Sequence, residues 1–396
     1  MTAEEFQVGP GPRQGFDPQQ DSPVSLYVHV PFCRHRCGYC NFSLIAGRDH
    51  LVDRFLNALE VEIRQLPESV ELDTLFFGGG TPSHLEADQL ERLAGIVSQR
   101  FTLAPDAEVS AECNPSDIDR EKLEALLKLG VNRISLGVQS LNADKLKRLE
   151  RDHSPDAAAR AVELAKAEVG NVSMDLIFAA PQETFQQWQT DLAGALALRP
   201  DHLSTYELTY EKGTPFWNRL QRGGLAVADE DLRADMYEHA IEQLDRGQTG
   251  WQQYELSSFA TDGHQCRHNQ SYWNGNDYLA FGPGASRFVD GVRSTNHQST
   301  LTYMKRLEAG QSPTAQTEQL TGVAAARERL VVGMRLLRGV DLAELEVVTG
   351  VPRDSTLPPA TRELLIESDL IEIADGVCRL TRRGVMVSDG VAEAIL

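Results

Sequence analysis

The 396-residue chain has no long apolar run, and no stretch approaches the ~20 consecutive apolar residues of a membrane helix. Cysteine is scarce, at six residues, and no apolar signal core precedes them. A disulfide framework laid down in an oxidising compartment is thereby excluded, and a cytoplasmic setting is expected. Positive charge is in deficit, with 38 Lys and Arg against 58 Asp and Glu and a net charge of −20. That excludes a general phosphate-backbone binder, whose footprint is cationic, so no nucleic-acid partner is expected. The first 22 residues, rich in Gly, Pro and Gln, read as a loose leader.

Half of the scarce cysteine stands in one place. Cys33-Arg-His-Arg-Cys37-Gly-Tyr-Cys40 follows the apolar run Leu26-Tyr-Val-His-Val-Pro-Phe32. Thiolates are soft donors that suit iron–sulfur clusters or zinc. The spacing C-x3-C-x2-C supplies three thiolates where an iron–sulfur cube takes four, which leaves one iron for a ligand from outside the chain. A structural zinc site shows paired C-x2-C or His motifs, whereas Cys113, Cys266 and Cys378 stand isolated. A redox C-x2-C would use Cys37 and Cys40 and leave Cys33 without a task. The cluster leads; zinc and dithiol chemistry stay open.

Short apolar runs then alternate with amphipathic stretches. Strands are expected at 26–30, 74–77, 107–112, 133–136, 172–178 and 202–206. Helices are expected at 49–66, 87–100, 118–129, 142–149, 155–167 and 185–198. Six strand–helix steps imply an α/β fold with a parallel sheet, and a site at the carboxyl ends of the strands. Periodicity does not choose between an open doubly wound sheet and a partial barrel. Residues 211–253 read as helical, broken at Gly223-Gly224, and 251–294 carry no clean period. Helices at 323–337, 342–349 and 361–368, then a hairpin with a tight Asp375-Gly376 turn, outline a small winged-helix-like α+β module. On so acidic a chain this module reads as a lid or packing element. The expected division is a leader over 1–22, a core over 23–210, a helical and aromatic segment over 211–310, and the C-terminal module over 311–396.

Several motifs fall just after strands. Gly78-Gly79-Gly80-Thr81-Pro82 lets backbone approach a ligand without Cβ obstruction, although a glycine triplet alone also serves a plain turn. Glu112-Cys-Asn114-Pro115 offers a carboxylate to an ammonium or hydroxyl group. Gly137-Val-Gln139 ends the fourth strand. Asp175 lies in an apolar strand, where an unpaired carboxylate is costly; Arg151 is a candidate charge for it or for a ligand.

Tyr27-x-His29-x-Pro31-Phe32-Cys33-x3-Cys37-x-Tyr39-Cys40, with Gly78–Pro82 and Glu112-x-Asn114-Pro115, resembles the radical S-adenosylmethionine superfamily. More narrowly it resembles the oxygen-independent coproporphyrinogen III oxidase-like branch, from Leu26 to Leu380. The resemblance implies a partial (β/α)6 barrel and a [4Fe–4S] cluster held by Cys33, Cys37 and Cys40. It implies S-adenosylmethionine on the open iron, flanked by Tyr27, Tyr39, Gly79, Gly80, Thr81 and Glu112. Gln139, Arg151 and Asp175 match positions that contact ligand in the decarboxylase. Enzymes of this superfamily cleave S-adenosylmethionine reductively to a 5′-deoxyadenosyl radical.

Two features separate this chain from the decarboxylase. The decarboxylase carries a fourth cysteine just beyond the third, where Asn41 and Phe42 stand here. His268-Asn269-Gln-Ser-Tyr272-Trp273 matches the H-N-x-x-Y-W signature of a heme-chaperone family in the same superfamily. Its members bind heme and pass it to respiratory enzymes. The residues are compatible with that: imidazole is a common axial ligand, aromatic faces suit a porphyrin, and Asn269 is placed to orient the imidazole. Taken without the resemblance, one His beside two aromatics reads as packing. Cys266 reads as a bystander, and no C-x2-C-H attachment motif is present. The resemblance thus implies heme as a ligand, heme-requiring client proteins, family members that dimerise, and no decarboxylase activity. Whether S-adenosylmethionine is turned over stays open. The alternative function is oxidative decarboxylation of coproporphyrinogen III without oxygen.

Overall fold

A computed structural model describes residues 24–245 and 250–396. The leader expected over 1–22 lies outside the described residues. The first half alternates strand and helix: β1 (Ser25–Val30), α1 (Val52–Ile63), β2 (Val70–Gly79), α2 (Ala87–Val97), β3 (Phe101–Cys113), α3 (Arg120–Lys128), β4 (Arg133–Gln139), α4 (Ala143–Arg148), α5 (Pro155–Glu168), β5 (Val172–Phe178), α6 (Phe185–Ala197) and β6 (His202–Glu207). Helix starts follow local chemistry. Ser154 caps α5 ahead of Pro155, and Thr184 with Gln187 forms a capping box on α6.

Strands β1 to β6 pair side by side and all in parallel, in sequence order. With their helices they form the partial (β/α)6 barrel. Side chains alternate across each strand. Leu26, Val28, Val30, Ile134, Leu136, Met174 and Leu176 face the helices and join the main core with Phe55, Leu59, Leu93, Leu126, Val162 and Trp188. The opposite face is polar. Ser25, Tyr27, His29, Thr74, Glu108, Glu112, Arg133, Ser135, Asp175 and His202 look inward, and Thr74 bonds to Ser25, Ser135 to Asp175 and His202 to Ser173 across strands.

Beyond the barrel come α7 (Pro215–Gln221), α8 (Glu230–Leu244), β7 (Trp251–Glu255), β8 (Ser258–Thr261), α9 (Arg267–Trp273), β9 (Tyr278–Phe281), β10 (Ser286–Val289), β11 (Val292–Asn296), α10 (Thr300–Glu308) and β12 (Thr314–Gln319). The sheet therefore has twelve strands in the order β12-β11-β10-β9-β1-β2-β3-β4-β5-β6-β8-β7 among the described residues. Two expectations change here. The helical stretch 211–253 is two helices and then strand from Trp251 on, with 246–249 outside the described residues. The stretch without a period, 251–294, holds strands of four or five residues, too short to show alternation.

The C-terminal part holds α11 (Gly322–Gly333), β13 (Val340–Asp341), α12 (Leu342–Thr349), α13 (Arg353–Thr356), α14 (Pro359–Glu367), β14 (Ile371–Ala374), β15 (Val377–Leu380), α15 (Arg382–Met386) and α16 (Ser388–Ile395). Its small sheet runs β13-β15-β14. Asp375 and Gly376 both take positive φ (52° and 85°), as the expected tight hairpin turn requires. No helix among the described residues is long and apolar enough to cross a membrane.

Candidate functional site

A cavity of about 450 Å³ opens at the carboxyl ends of the barrel strands. Cys33, Cys37 and Cys40 line one wall, and Tyr39, Gly80, Thr81, Glu112, Gln139, Arg151 and Asp175 line the rest. Cys33 ends a two-residue strand that pairs with Ile45-Ala46. A turn from Cys37 O to Cys40 N (3.1 Å) brings the last cysteine round. The Thr81 hydroxyl lies 3.1 Å from Cys33 Sγ, and the Arg151 guanidinium lies 3.4 Å from Cys37 Sγ while donating to Gly137 O at 2.8 Å.

Burial pushes the Cys33 thiol up to about 12, so without a cation it stays protonated. Thiolate ligation and metal binding are therefore coupled. No group of three or more His, Cys, Asp or Glu among the described residues is arranged to hold a single metal ion. Three thiols on one wall of a cavity are the donor set of an iron–sulfur cluster with one open iron.

The glycine loop earns its composition. Gly79 has φ +108°, and a Cβ there would stand 2.3 Å from the His29 ring. At Gly80 a Cβ would come within 2.6 Å of Phe32 O. The Gly79 N–H donates to Glu112 Oε2 at 2.9 Å, which aims this carboxylate at the loop. Burial raises the Glu112 carboxyl to about 7; the Gly79 bond opposes that and the nearby Asp175 charge adds to it. Gln139 takes φ +64°, a left-handed conformation unusual outside glycine, at the lip of the cavity.

Asp175 corrects an expectation. Its hydrogen-bond partners are Ser204 and Ser135, the latter with its hydroxyl 3.2 Å from both carboxylate oxygens, and Arg133 is a charge beside it. Arg151 contributes charge at longer range and spends its hydrogen bonds on Gly137 and Cys37. Burial nevertheless raises the Asp175 carboxyl.

His29 falls inside the motif before the cysteines, with no chemistry of its own evident from the sequence. Its Nε2 donates to Ser43 O at 2.8 Å, so Nδ1 accepts from the Tyr27 hydroxyl at 3.1 Å. Burial lowers this imidazole to about 4, which keeps it neutral. It ties Tyr27 to the loop that follows the cysteines. Only its position between Tyr27 and Pro31 in the motif hinted at that.

The His268 segment lies elsewhere. Helix α9 packs into the barrel at the end opposite the cysteines. Glu108 on β3 accepts from Arg267 N (2.9 Å) and His268 N (3.1 Å), with Cys266 Sγ at 3.6 Å. His268 is buried, stacked on Phe76 and edge-on to Tyr272. Thr74 donates its hydroxyl to Ser25, so His268 Nδ1–H donates to Thr74 Oγ1 at 2.8 Å, and Nε2 accepts from the Tyr272 hydroxyl at 2.6 Å. Burial, then the Arg133 charge, lowers this imidazole to about 3. Asn269 is partly exposed. Trp273 faces a second cavity toward the C-terminal part. Neither His268, Asn269, Tyr272 nor Trp273 lines the cysteine cavity.

A family model described as the Radical SAM superfamily matches residues 27–193, and one described as the HemN C-terminal domain matches 320–387. Heme chaperone HemW of Bacillus subtilis is 33% identical over 94% of this chain and 99% of its own. Heme chaperone HemW of Escherichia coli is 33% identical over 94% and 98%. The chain belongs to the HemW family of the radical SAM superfamily. Membership implies a [4Fe–4S] cluster and S-adenosylmethionine. Among solved structures, coproporphyrinogen III oxidase (HemN) of Escherichia coli superposes with a TM-score of 0.83 at 23% identity, over 96% of this chain and 91% of that one. That likeness fixes the radical SAM fold, the partial barrel, and settles the choice the periodicity left open.

Proposed function

We propose that this protein is a heme chaperone that holds a [4Fe–4S] cluster with S-adenosylmethionine and delivers heme to heme-requiring client proteins, respiratory enzymes among them. The observation that carries this is kinship through nearly the whole chain with proteins named as heme chaperones, at 33% and 37% identity.

Cys33, Cys37 and Cys40 would hold the cluster, and their shared wall fits it. When bound, the cluster supplies an open iron to chelate S-adenosylmethionine and an electron for its sulfonium. Glu112, aimed by Gly79, would accept from the ammonium of S-adenosylmethionine. Tyr27, Tyr39, Gly79, Gly80 and Thr81 would flank the ligand. Gln139, Arg151 and Asp175 would close the far side, with Arg151 also screening the charge gathered on Cys37. In this division residues 23–210 serve the cluster, 211–310 carry the heme segment, and 311–396 cover it.

His268 is the proposed axial ligand, with Asn269, Tyr272 and Trp273 around the porphyrin. The Nε2 lone pair is taken by Tyr272 in this arrangement. Iron ligation at this nitrogen would exchange that bond for a metal bond.

The fold shared with coproporphyrinogen III oxidase motivates the second function, oxidative decarboxylation. One experiment separates the two. Cluster-reconstituted protein titrated with hemin should give a saturable Soret change, and the same preparation should form no protoporphyrinogen from coproporphyrinogen III under anaerobic reducing conditions. Protoporphyrinogen at repeated turnover, or a Soret band that never saturates, overturns the chaperone assignment.

A further inference from the structure

The second cavity, about 470 Å³, lies where the end of α9 meets α11, α12 and the small sheet. Its apolar lining includes Trp273, Leu336, Val340, Leu345 and Val348. Two guanidinium groups stand in this lining, Arg329 and Arg338. Apolar faces with a pair of guanidinium groups are the chemistry that receives a flat ring bearing carboxylates.

The donors differ in how far they are committed. Arg329 donates to Gly275 O (2.9 Å) and Asn274 O (3.2 Å) and so holds the turn after α9 in place. Arg338 is exposed and donates to the Asn274 side chain. Trp273 is held from behind by the Arg335 guanidinium, 4.4 Å from the ring centroid. Its Nε1–H is buried with no hydrogen-bond partner among the described residues. The lining also holds two carboxylates: Asp341 caps the start of α12, accepting from Ala343 N and Glu344 N, and Glu344 stands one turn on, so Arg329 and Arg338 balance the acidic charge of the cavity before a ligand enters. Val348, 55% exposed, gives one side of the rim an apolar face.

We propose that this cavity seats the propionate edge of heme, with Arg338 as the principal carboxylate partner and Trp273 against the ring. The proposal rests on the heme-chaperone function above and adds a ligand-binding surface from the C-terminal part. It also gives Trp273 a task, in the lining of this cavity.

The test is a Soret titration of the cluster-reconstituted full chain with hemin and, separately, with hemin dimethyl ester, whose propionates are neutral. Hemin should bind about tenfold more tightly than its ester. Arg338→Ala should weaken hemin by about tenfold and leave the ester unchanged. Val348→Trp, which fills the rim, should weaken both. Thermal melts check that each variant folds. Hemin and ester binding alike to the wild type, or Arg338→Ala binding hemin as the wild type does, overturns the seat while the chaperone function stands. A wild type that binds neither overturns both.

Discussion

Glu108 and Glu112 stand four residues apart on the same inward face of β3, yet the barrel treats them differently. Glu108, at the closed end, receives two backbone N–H groups and a thiol from the start of α9 and lies beside the buried Arg133. Glu112, at the open end, receives one backbone N–H and faces a cavity. The first carboxylate is consumed by the fold. The second keeps acceptor capacity in reserve and is held near neutrality, raised to about 7. Side chain, strand and face are shared, so the difference comes from what packs above each one. A carboxylate left short of donors inside a fold marks a place where a ligand is expected.

The comparison breaks most visibly at Glu108. Glu108→Ala strips the α9 start of its acceptor and leaves Arg133 buried without its near counter-charge. The expected loss is about 4 kcal/mol of unfolding free energy, read from urea denaturation. A loss below about 1 kcal/mol would mean that α9 is held by its side chains alone.

Glu112 should behave in the opposite sense. Its folded pKa is raised above the unfolded value, so the folded chain binds more protons between about 4.5 and 7. The penalty for ionising it is absent below pH 4.5 and complete above pH 7, and stability falls as pH rises through that window. Glu112→Gln should therefore be indistinguishable from the wild type at pH 4.5 and more stable than it at pH 7.5, by about 3 kcal/mol. The measurement is on protein free of S-adenosylmethionine, taking the difference between variant and wild type at each pH. A difference that does not change with pH would remove Glu112 from the class of strained site carboxylates.

The sequence made the open end legible and the closed end nearly opaque. The cysteine spacing, the glycine loop and Glu112 are local motifs placed after strands whose apolar runs are plain. Even there, β3 begins at Phe101, well before the expected residue 107, because Thr102 to Asp106 shows no apolar alternation and Pro105 reads as a break in a strand. The closed end is built from contacts far apart in the chain: Glu108 with Arg267, Thr74 with His268, Arg329 with Gly275. Nothing in the His268-x3-Tyr272 spacing says that the helix turns into a barrel. Asp175 is instructive for the same reason. The charge at Arg151 was the obvious partner, but strand pairing puts the Ser135 and Ser204 hydroxyls nearer.

The finest difference between the two ends lies in their neutral imidazoles. His29 at the open end has a backbone carbonyl for one nitrogen and Tyr27 for the other. His268 at the closed end depends on two side-chain hydroxyls, Thr74 and Tyr272. Tyr272→Phe removes a single oxygen. His268 Nε2 then loses its donor in a buried setting, while the ring stays packed against Phe76 and Tyr278 stays within reach of the phenyl edge. The expected cost is about 1 kcal/mol in unfolding free energy, since an unmet acceptor is penalised and the apolar contact is kept. The same change frees the nitrogen that would ligate iron. If His268 is the axial ligand, Tyr272→Phe should lose this stability yet hold hemin at least as tightly as the wild type. Weaker hemin binding at equal fold integrity would show instead that the Tyr272 hydroxyl serves the heme directly, and that the closed end, like the open one, keeps an atom in reserve for a ligand.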